Sequence, residues 1–325
     1  MESDPGSAPQ LDPQVAAVLA AVASAPGPDL ERLSPSEARV LYRARLRNVA
    51  GQPPQLWKVS DRLIAGPSGE LGLRIYQPGS DARPVLVYFH GGGWSFGDLD
   101  SHDHICRALT AYSDCVLVSV GYRLAPEHKF PAAVEDAIAA TSWVAQNAKL
   151  IGADPSRVAV GGDSAGANLA AVVALHARDT GAPQLCFQLL IYPAVDMTMA
   201  SHSHAQFGAG YRLTRPLMIW SCTNYLRDGR DLIDPRASPL FASSHSGLPP
   251  ALIVTAQFDP LRDEGRRYAQ VLAGSATPVV YRCEDGMIHG FVGFTAVIDR
   301  ASAALRHMGA SLREAMAADR GSSPR

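Results

Sequence analysis

From residue 71 onward, short apolar runs alternate with longer amphipathic ones. Runs rich in Val, Ile, Leu and Tyr cover 71–78, 84–90, 115–122, 157–162, 186–193, 251–257 and 278–284, and helical patterns lie between most of them, at 101–112, 131–148, 165–178 and 262–273. The first run alternates like a strand with one exposed face. The others are almost continuous, which is typical of strands buried on both faces of a parallel sheet. This order predicts a doubly wound α/β sheet with helices on both faces.

Two regions stand outside this alternation. Helical patterns occur at 13–24 and 34–49, and the second begins with Ser34, Pro35 and Glu37, which fit an N-cap, a first-turn proline and a capping-box partner. Residues 197–246 separate two strands where a crossover helix needs far less chain. This insertion is rich in Met, Phe, Tyr and Trp. We expect it to combine with the N-terminal helices into a cap over one edge of the sheet.

The composition narrows the class of protein. The chain has 325 residues, 47% of them hydrophobic and 18% charged, with a net charge of -2. These values suit a globular enzyme and give no reason to expect a nucleic-acid or membrane partner. Five scattered cysteines without a CxxC pair argue against a disulfide framework or a structural zinc site. With no signal-peptide pattern and no apolar run of about 18 residues, we expect a cytoplasmic location.

The stretch GGDSAG lies where a strand pattern ends and a helical one begins. Gly162, Ser164 and Gly166 match the G-x-S-x-G nucleophile elbow, in the strand–turn–helix context that this motif requires. The glycines suit a tight turn in which a Cβ would collide with neighbouring backbone. A βα turn with a capping serine would explain the same residues. The stretch alone does not decide between these interpretations.

The stretch FHGGGW (89–94) follows the strand predicted at 84–90. Three glycines expose backbone N–H groups that can bind a developing oxyanion, and the N–H of Ala165 adds a further donor. A flexible turn or a phosphate cradle is the alternative. Neither GK[ST] nor GxGxxG spacing is present, which disfavours nucleotide binding.

In proteins with this elbow motif, the acid and then the histidine follow the serine along the chain. Candidates for the acid and the base that would activate Ser164 are therefore looked for after residue 164. His289 follows the last predicted strand, and Asp259 follows the strand at 251–257. We favour Asp259 over Asp263 and Glu264, which fall where a helix has begun. The stretches HDH (102–104) and HSH (202–204) invite a metal interpretation. They lack the spacing and carboxylates of a metal site, so we predict no metal and place both on the solvated surface.

Together these stretches resemble the hormone-sensitive-lipase-like branch of the α/β hydrolases, the bacterial family IV esterases. The resemblance rests on HGGGW, YRLAPEHKFPAAVEDA (122–137), GDSAG, FDPLRDE and IHGF, in the family's order over about 70–295. Lys129 stands where the family often has proline, outside the expected catalytic set. The resemblance implies an α/β hydrolase fold with a helical cap. Its domains would be cap helices in 1–50, core in 51–196, a cap insertion in 197–235, core in 236–319 and a disordered tail in 320–325.

The resemblance also implies the site residues. Ser164 would be the nucleophile, Asp259 the acid and His289 the base, with the N–H groups of Gly92, Gly93 and Ala165 as oxyanion hole. The remaining motif positions are His90, Gly91, Gly162, Asp163 and Gly166. YRLAPE is taken as scaffold behind the glycine loop. No cofactor is needed for this chemistry.

The function expected is hydrolysis of short- to medium-chain acyl esters of small molecules through an acyl-enzyme. An amidase or a deacetylase of a specific metabolite could use the same triad. Plant gibberellin receptors resemble this family but lack the catalytic histidine. The presence of His289 therefore disfavours a ligand-binding receptor of that type. Cap and loop side chains either line an acyl pocket or form the cap's own core: Trp94, Phe207, Tyr211, Met218 and Trp220. A homodimer through the strand at 278–284 is possible in such a family.

Overall fold

The computed structural model describes residues 10–24 and 27–317. The predicted disordered tail at 320–325 lies outside the described residues. Eight strands form one sheet: β1 Lys58–Gly66, β2 Gly69–Gln77, β3 Arg83–Phe89, β4 Val116–Gly121, β5 Ala153–Asp163, β6 Leu185–Ile191, β7 Ala251–Phe258 and β8 Val279–Ile288. Their order across the sheet is β1-β2-β4-β3-β5-β6-β7-β8. β3 to β8 run parallel to their neighbours among them, while β2 is antiparallel to both β1 and β4.

The strand β1 was missed by the sequence pattern. It pairs with β2 over its whole length, from Lys58 opposite Gln77 to Gly66 opposite Gly69. Most of its residues are exposed or half-buried, and Ile64 is its buried exception. An edge strand with so little buried surface carries no apolar run, so hydrophobicity alone did not reveal it.

Nine α-helices are found within 10–24 and 27–317. They are α1 Pro13–Ser24, α2 Pro35–Val49, α3 Asp103–Ser113, α4 Ala132–Asn147, α5 Ala165–Thr180, α6 His202–Phe207, α7 Arg215–Tyr225, α8 Arg262–Gly274 and α9 Asp299–Ala317. The predicted alternation of strands and helices, and the predicted starts of α2 and α5, are confirmed. At the start of α2 the Ser34 N–H donates to Glu37 Oε2 (3.0 Å) and the Glu37 N–H donates back to Ser34 Oγ (3.4 Å).

The strand side chains alternate between two apolar layers. Val85, Val87 and Phe89 of β3 belong to a cluster that includes buried side chains of α4, α5 and α8. Leu86 and Tyr88 point the other way, into a cluster with α3 and α9. Helices therefore cover both faces of the sheet, as predicted, and the central strands are buried along their length. Because parallel strands share a direction, the carboxyl ends of β3, β5, β7 and β8 meet at one edge.

The long insertion between β6 and β7 holds α6, α7 and two short 3-10 helices, Gly229–Ile233 and Pro239–Phe241. Its two ends are tied to each other. The Leu240 N–H donates to the Val195 carbonyl (3.2 Å), and the Met197 N–H donates to Ser238 Oγ (2.8 Å). The chain thus leaves the sheet and returns to it at nearly the same place.

The insertion also contacts the core and the N-terminal helices. Ser203 of α6 donates to the Pro260 carbonyl beside α8 (2.6 Å). Trp220 of α7 stacks on Phe96, the residue two after the HGGGW stretch, at 5.9 Å between ring centroids. Leu30 and Ala38 of the N-terminal region belong to the same small apolar cluster. Residues from all three regions therefore surround the loop that follows β3.

Candidate active site

The turn from β5 into α5 holds Ser164 in a conformation that a side chain rarely adopts. Its φ is 56° and its ψ is -119°, and its N–H donates to the Ile191 carbonyl at the end of β6 (2.8 Å). A Cβ on Gly162 or on Gly166 would run into the Phe89 carbonyl of β3. The two glycines therefore allow three segments to pack together, and the backbone strain at the serine is the strain expected of a nucleophile elbow.

Three polar side chains meet at the carboxyl edge of the sheet. His289 Nε2 lies 2.9 Å from Ser164 Oγ, and His289 Nδ1 lies 2.8 Å from Asp259 Oδ2. Asp259 is fully buried and its other oxygen accepts the Leu261 N–H (2.8 Å). Because Nδ1 faces a carboxylate, the tautomer with hydrogen on Nδ1 leaves Nε2 free to accept the serine proton. Asp263 points elsewhere and accepts the Ser203 N–H (3.1 Å).

The glycine loop after β3 turns sharply beside the serine. Gly92 has a φ of 124° and Gly93 a φ of 56°, both in the region that favours glycine. The Gly92 carbonyl accepts the N–H groups of Ser95 and Phe96 (3.1 and 3.0 Å). In the part of the chain that the structure describes, no hydrogen bond uses the N–H of Gly92 or Gly93. Ala165 is the first residue of α5, where helical N–H groups lack an intrahelical acceptor.

A buried carboxylate joins the serine turn to the glycine loop. Asp163 Oδ1 accepts the Tyr88 hydroxyl (2.8 Å) and the Gly91 N–H (2.9 Å), and His102 Nε2 lies 3.4 Å away. Burial alone would raise the pKa of Asp163, but the His102 ring and these hydrogen bonds outweigh it and hold that pKa below its usual value. A Cβ on Gly91 would meet this carboxylate.

The prediction that HDH (102–104) lies on the solvated surface is wrong. His102 is 1% exposed and His104 is 7% exposed, and His104 Nε2 lies 3.1 Å from the Gly293 carbonyl. His90 is buried as well, with its ring stacked on Tyr122 at 4.3 Å. Burial lowers the pKa of both His90 and His104 to about 4, so both rings are neutral at pH 7.

For HSH (202–204) the same prediction holds for His202, which is exposed, and is wrong for the two residues after it. Ser203 and His204 are buried, and His204 Nε2 lies 2.7 Å from Glu264 Oε2 of α8. The other oxygen of Glu264 accepts the Val195 N–H (2.7 Å), and burial raises the pKa of Glu264. The pair gives the buried Glu264 carboxyl a polar partner, while His204 Nδ1 has no hydrogen-bond partner among the described residues. Among the residues described, no three His, Cys, Asp or Glu side chains gather as a metal ion would require.

Two residues near the triad were missed by the sequence reasoning. The Tyr192 ring lies 4.6 Å from the His289 ring, with a backbone φ of 35° directly after β6. Arg212 donates from Nη1 to the His289 carbonyl (3.2 Å), and its guanidinium lies over the Phe294 ring. Tyr192 could have been predicted as a site residue, because it lies at the end of a predicted parallel strand. Arg212 lies in the insertion, where no such rule applies.

The five predicted pocket residues fall into separate groups. Trp94 stacks on Tyr225 with 4.4 Å between ring centroids. Phe207 and Tyr211 pack edge to face with each other and both contact Phe258. Met218 is buried, and Trp220 belongs to the cluster around Phe96. Much of this aromatic surface is thus committed to joining the insertion to the core.

Known proteins are similar to this chain in sequence over most of its length. Residues 86–293 match a family described as having the alpha/beta hydrolase fold. The carboxylic ester hydrolase LipN of Mycobacterium tuberculosis is 49% identical over 263 residues, covering 78% of this chain and 70% of that protein. The esterase LipI of the same organism is 42% identical, covering 91% of this chain and 92% of its own.

Solved structures agree with this assignment. An alpha/beta hydrolase from the metagenome of Lake Arreo, crystallised as a Ser161Ala mutant, superposes with a TM-score of 0.92 at 39% identity, covering 95% of this chain and 99% of its own. An esterase of Pyrobaculum calidifontis gives 0.88 at 40% identity, covering 94% and 98%. The chain therefore belongs to the α/β hydrolases, in their hormone-sensitive-lipase-like branch.

Proposed function

We propose that this carboxylic ester hydrolase cleaves short- to medium-chain acyl esters through an acyl-enzyme on Ser164. The observation that carries the proposal is the hydrogen-bonded series Ser164–His289–Asp259, with distances of 2.9 and 2.8 Å. In this arrangement the imidazole can accept the proton of the hydroxyl, which activates the hydroxyl as a nucleophile. The buried carboxylate stabilises the positive charge that the imidazole then carries.

In the acylation half, Ser164 Oγ attacks the ester carbonyl carbon and passes its proton to His289 Nε2. Asp259 keeps the ring oriented and stabilises its positive charge. The carbonyl oxygen becomes an oxyanion, for which the N–H groups of Gly92, Gly93 and Ala165 are the proposed donors. The carbon–oxygen bond to the alcohol then breaks, and His289 returns its proton to the leaving alkoxide.

In the deacylation half, water takes the place of the alcohol. His289 accepts a proton from the water as its oxygen attacks the acyl carbon, and the oxyanion forms at the same donors. The bond to Ser164 Oγ breaks and the serine recovers its proton from His289. The carboxylic acid leaves, and every group is restored.

Chain length and bond type form the finer part of the proposal. Aromatic side chains packed between insertion and core leave little reason to expect a long open acyl groove. The same triad would cleave an activated amide, so an amidase or deacetylase of a small metabolite is the second candidate. The names of the relatives favour the ester.

Hydrolysis of p-nitrophenyl esters from acetyl to palmitoyl, by the wild type and by Ser164→Ala, tests the proposal. We expect turnover that is highest on short or medium chains and falls by at least about 10⁴-fold in the variant. A matched anilide should react far more slowly than its ester. Equal inactivity of both proteins on every ester would overturn the proposal, and faster anilide cleavage would favour the amidase.

A second copy of this chain is the proposed protein partner, docked along β8. Val280, near the start of this last strand, is 61% exposed. Near the other end of the strand, the Asp12 N–H donates to the Gly286 carbonyl (3.1 Å). Light scattering on the wild type and on Val280→Lys tests this. A dimer that the substitution dissociates supports the proposal, and a wild-type monomer at high concentration contradicts it.

Cytoplasmic location is part of the proposal. No helix within 10–24 and 27–317 is long and apolar enough to cross a membrane. No disulfide is formed by Cys106, Cys115, Cys222 or Cys283, as suits a reducing compartment that preserves thiols. Cell fractionation should recover the protein with cytoplasmic markers, and recovery from the medium would contradict this.

A further inference from the structure

The His102 ring has a hydrogen-bonding or charged group beside each of its nitrogens. Its Nε2 faces the Asp163 carboxylate at 3.4 Å, so Nε2 carries hydrogen. Its Nδ1 lies 2.9 Å from Ser101 Oγ. That hydroxyl donates its single proton to the Asp98 carbonyl (2.9 Å) and accepts the Asp98 N–H (2.8 Å). With its proton on the Asp98 carbonyl, the Ser101 oxygen can accept a hydrogen from Nδ1.

A ring with hydrogen on both nitrogens is an imidazolium cation. The other charged groups nearby have partners of their own. Asp98 pairs with Arg43, and Asp103 pairs with Arg107 (2.6 Å). The neighbouring His90 ring, 5.4 Å from that of His102, is neutral at pH 7 for the reason given above. With hydrogen on both nitrogens, His102 would be the counter-charge that faces Asp163.

The position of Asp163 creates a problem that such a cation solves. Its carboxylate precedes the nucleophile by one residue and binds the N–H of Gly91, one residue before the proposed oxyanion donors. A buried negative charge there would repel an oxyanion forming at Gly92 and Gly93, because electrostatic interactions are strong where water is excluded. The loop needs the carboxylate as an anchor, while the transition state is harmed by its charge.

We propose that His102 is a positioning residue that carries a positive charge and cancels that of Asp163 beneath the oxyanion hole. Asp163 can then hold the glycine loop without opposing the oxyanion. This inference rests on the proposed function. It gives the SHD stretch at 101–103 a role in catalysis although none of its side chains belongs to the proposed triad or oxyanion donors.

A double-mutant cycle on a p-nitrophenyl ester tests the inference. His102→Asn keeps a neutral polar side chain, and we expect kcat to fall about tenfold or more with KM little changed. Asp163→Asn keeps an oxygen that can accept the Gly91 N–H. In that background His102→Asn should change kcat by less than about twofold, because no charge remains to be cancelled. Each kcat is taken per site titrated with a p-nitrophenyl phosphonate.

His104→Asn is the matched control, since it removes a buried histidine that faces a carbonyl and not a carboxylate. Its effect on kcat should be the same in both backgrounds. An equal effect of His102→Asn in both backgrounds would overturn charge cancellation while leaving ester hydrolysis intact. A wild type without esterase activity would instead defeat the proposed function itself. If His102→Asn does not fold, His102→Gln serves the same cycle.

Discussion

The two sides of the active site are held together in different ways. On the core side, Ser164, Asp259 and His289 each follow a parallel strand, and hydrogen bonds within buried surroundings fix their positions. On the cap side, α6 and α7 contact the core mainly through aromatic packing and a few polar anchors. Directional bonds set atoms to within tenths of an ångström, whereas packing tolerates exchange of similar side chains. We therefore expect catalytic activity to be sensitive to substitutions on the core side. Substrate selectivity should be more tolerant of substitutions on the cap side.

Replacing the buried acid should produce the largest effect. Asp259→Asn preserves the shape of the side chain but favours the wrong histidine tautomer, so we expect kcat to fall about 10⁴-fold with little loss of stability. Steady-state kinetics on a p-nitrophenyl ester, with circular dichroism to verify the fold, measure it. Asp263→Asn is the matched control four residues away, and it should keep kcat within a few-fold. Similar losses in both variants would remove the distinction between the two carboxylates.

The buried pair between cap and core should come next. Glu264→Ala leaves the Val195 N–H and the His204 ring buried without their partner, so we expect the free energy of unfolding to fall by about 3–5 kcal/mol. Urea denaturation measures the change. His204→Asn in the Glu264→Ala background should cost far less than it does alone. Additive losses would show that the two side chains do not act as a pair.

Acid should weaken the fold through the buried histidines. The pKa of His90 and that of His104 are lowered from 6.5 to about 4. Between those values the unfolded chain binds more protons, so the stability present above pH 6.5 is lost as the pH falls toward 4. Each histidine should account for about 3 kcal/mol of the loss at pH 4. Between pH 7 and pH 4, the free energy of unfolding of His104→Asn should fall by about 3 kcal/mol less than that of the wild type. An equal fall in both proteins would contradict the assignment.

The smallest effect is expected at the cap. Trp220→Ala removes a half-buried ring from Phe96, and we expect about 1–2 kcal/mol less stability. Because Trp220 touches no residue of the triad, KM for a medium-chain ester should rise more than kcat falls. Kinetics with two chain lengths measure this. A loss confined to kcat would place Trp220 with the rigid side of the site.

Much of the core side could be predicted from the sequence because short local patterns determine it. The glycines around Ser164 and in the loop after β3 are required by close backbone contacts, and continuous apolar runs revealed the parallel strands. The edge strand β1 escaped because its residues are mostly exposed. The α/β hydrolase fold and its hydrolase class were predicted correctly. The domain boundaries and the roles of all the site residues, those of the triad and of the oxyanion donors included, stay predictions.

The histidine stretches show where local reasoning failed. His102 and His204 were placed on the surface because polar residues usually lie there. Each is buried against a carboxylate about sixty residues further along the chain, Asp163 for the first and Glu264 for the second. Such a pairing leaves no periodic signal. Only the three-dimensional arrangement shows that each histidine faces a carboxyl group.

The tied ends of the insertion have a practical consequence for protein engineering. The bonds from Leu240 to Val195 and from Met197 to Ser238 close the excursion at its base, and the contacts of α6 with the core add to this anchoring. Closing a long loop whose ends are already adjacent costs little additional entropy. The segment between them can thus be treated as a cassette. Transplanting the corresponding segment from another member of the family would exchange substrate preference while leaving the catalytic framework in place.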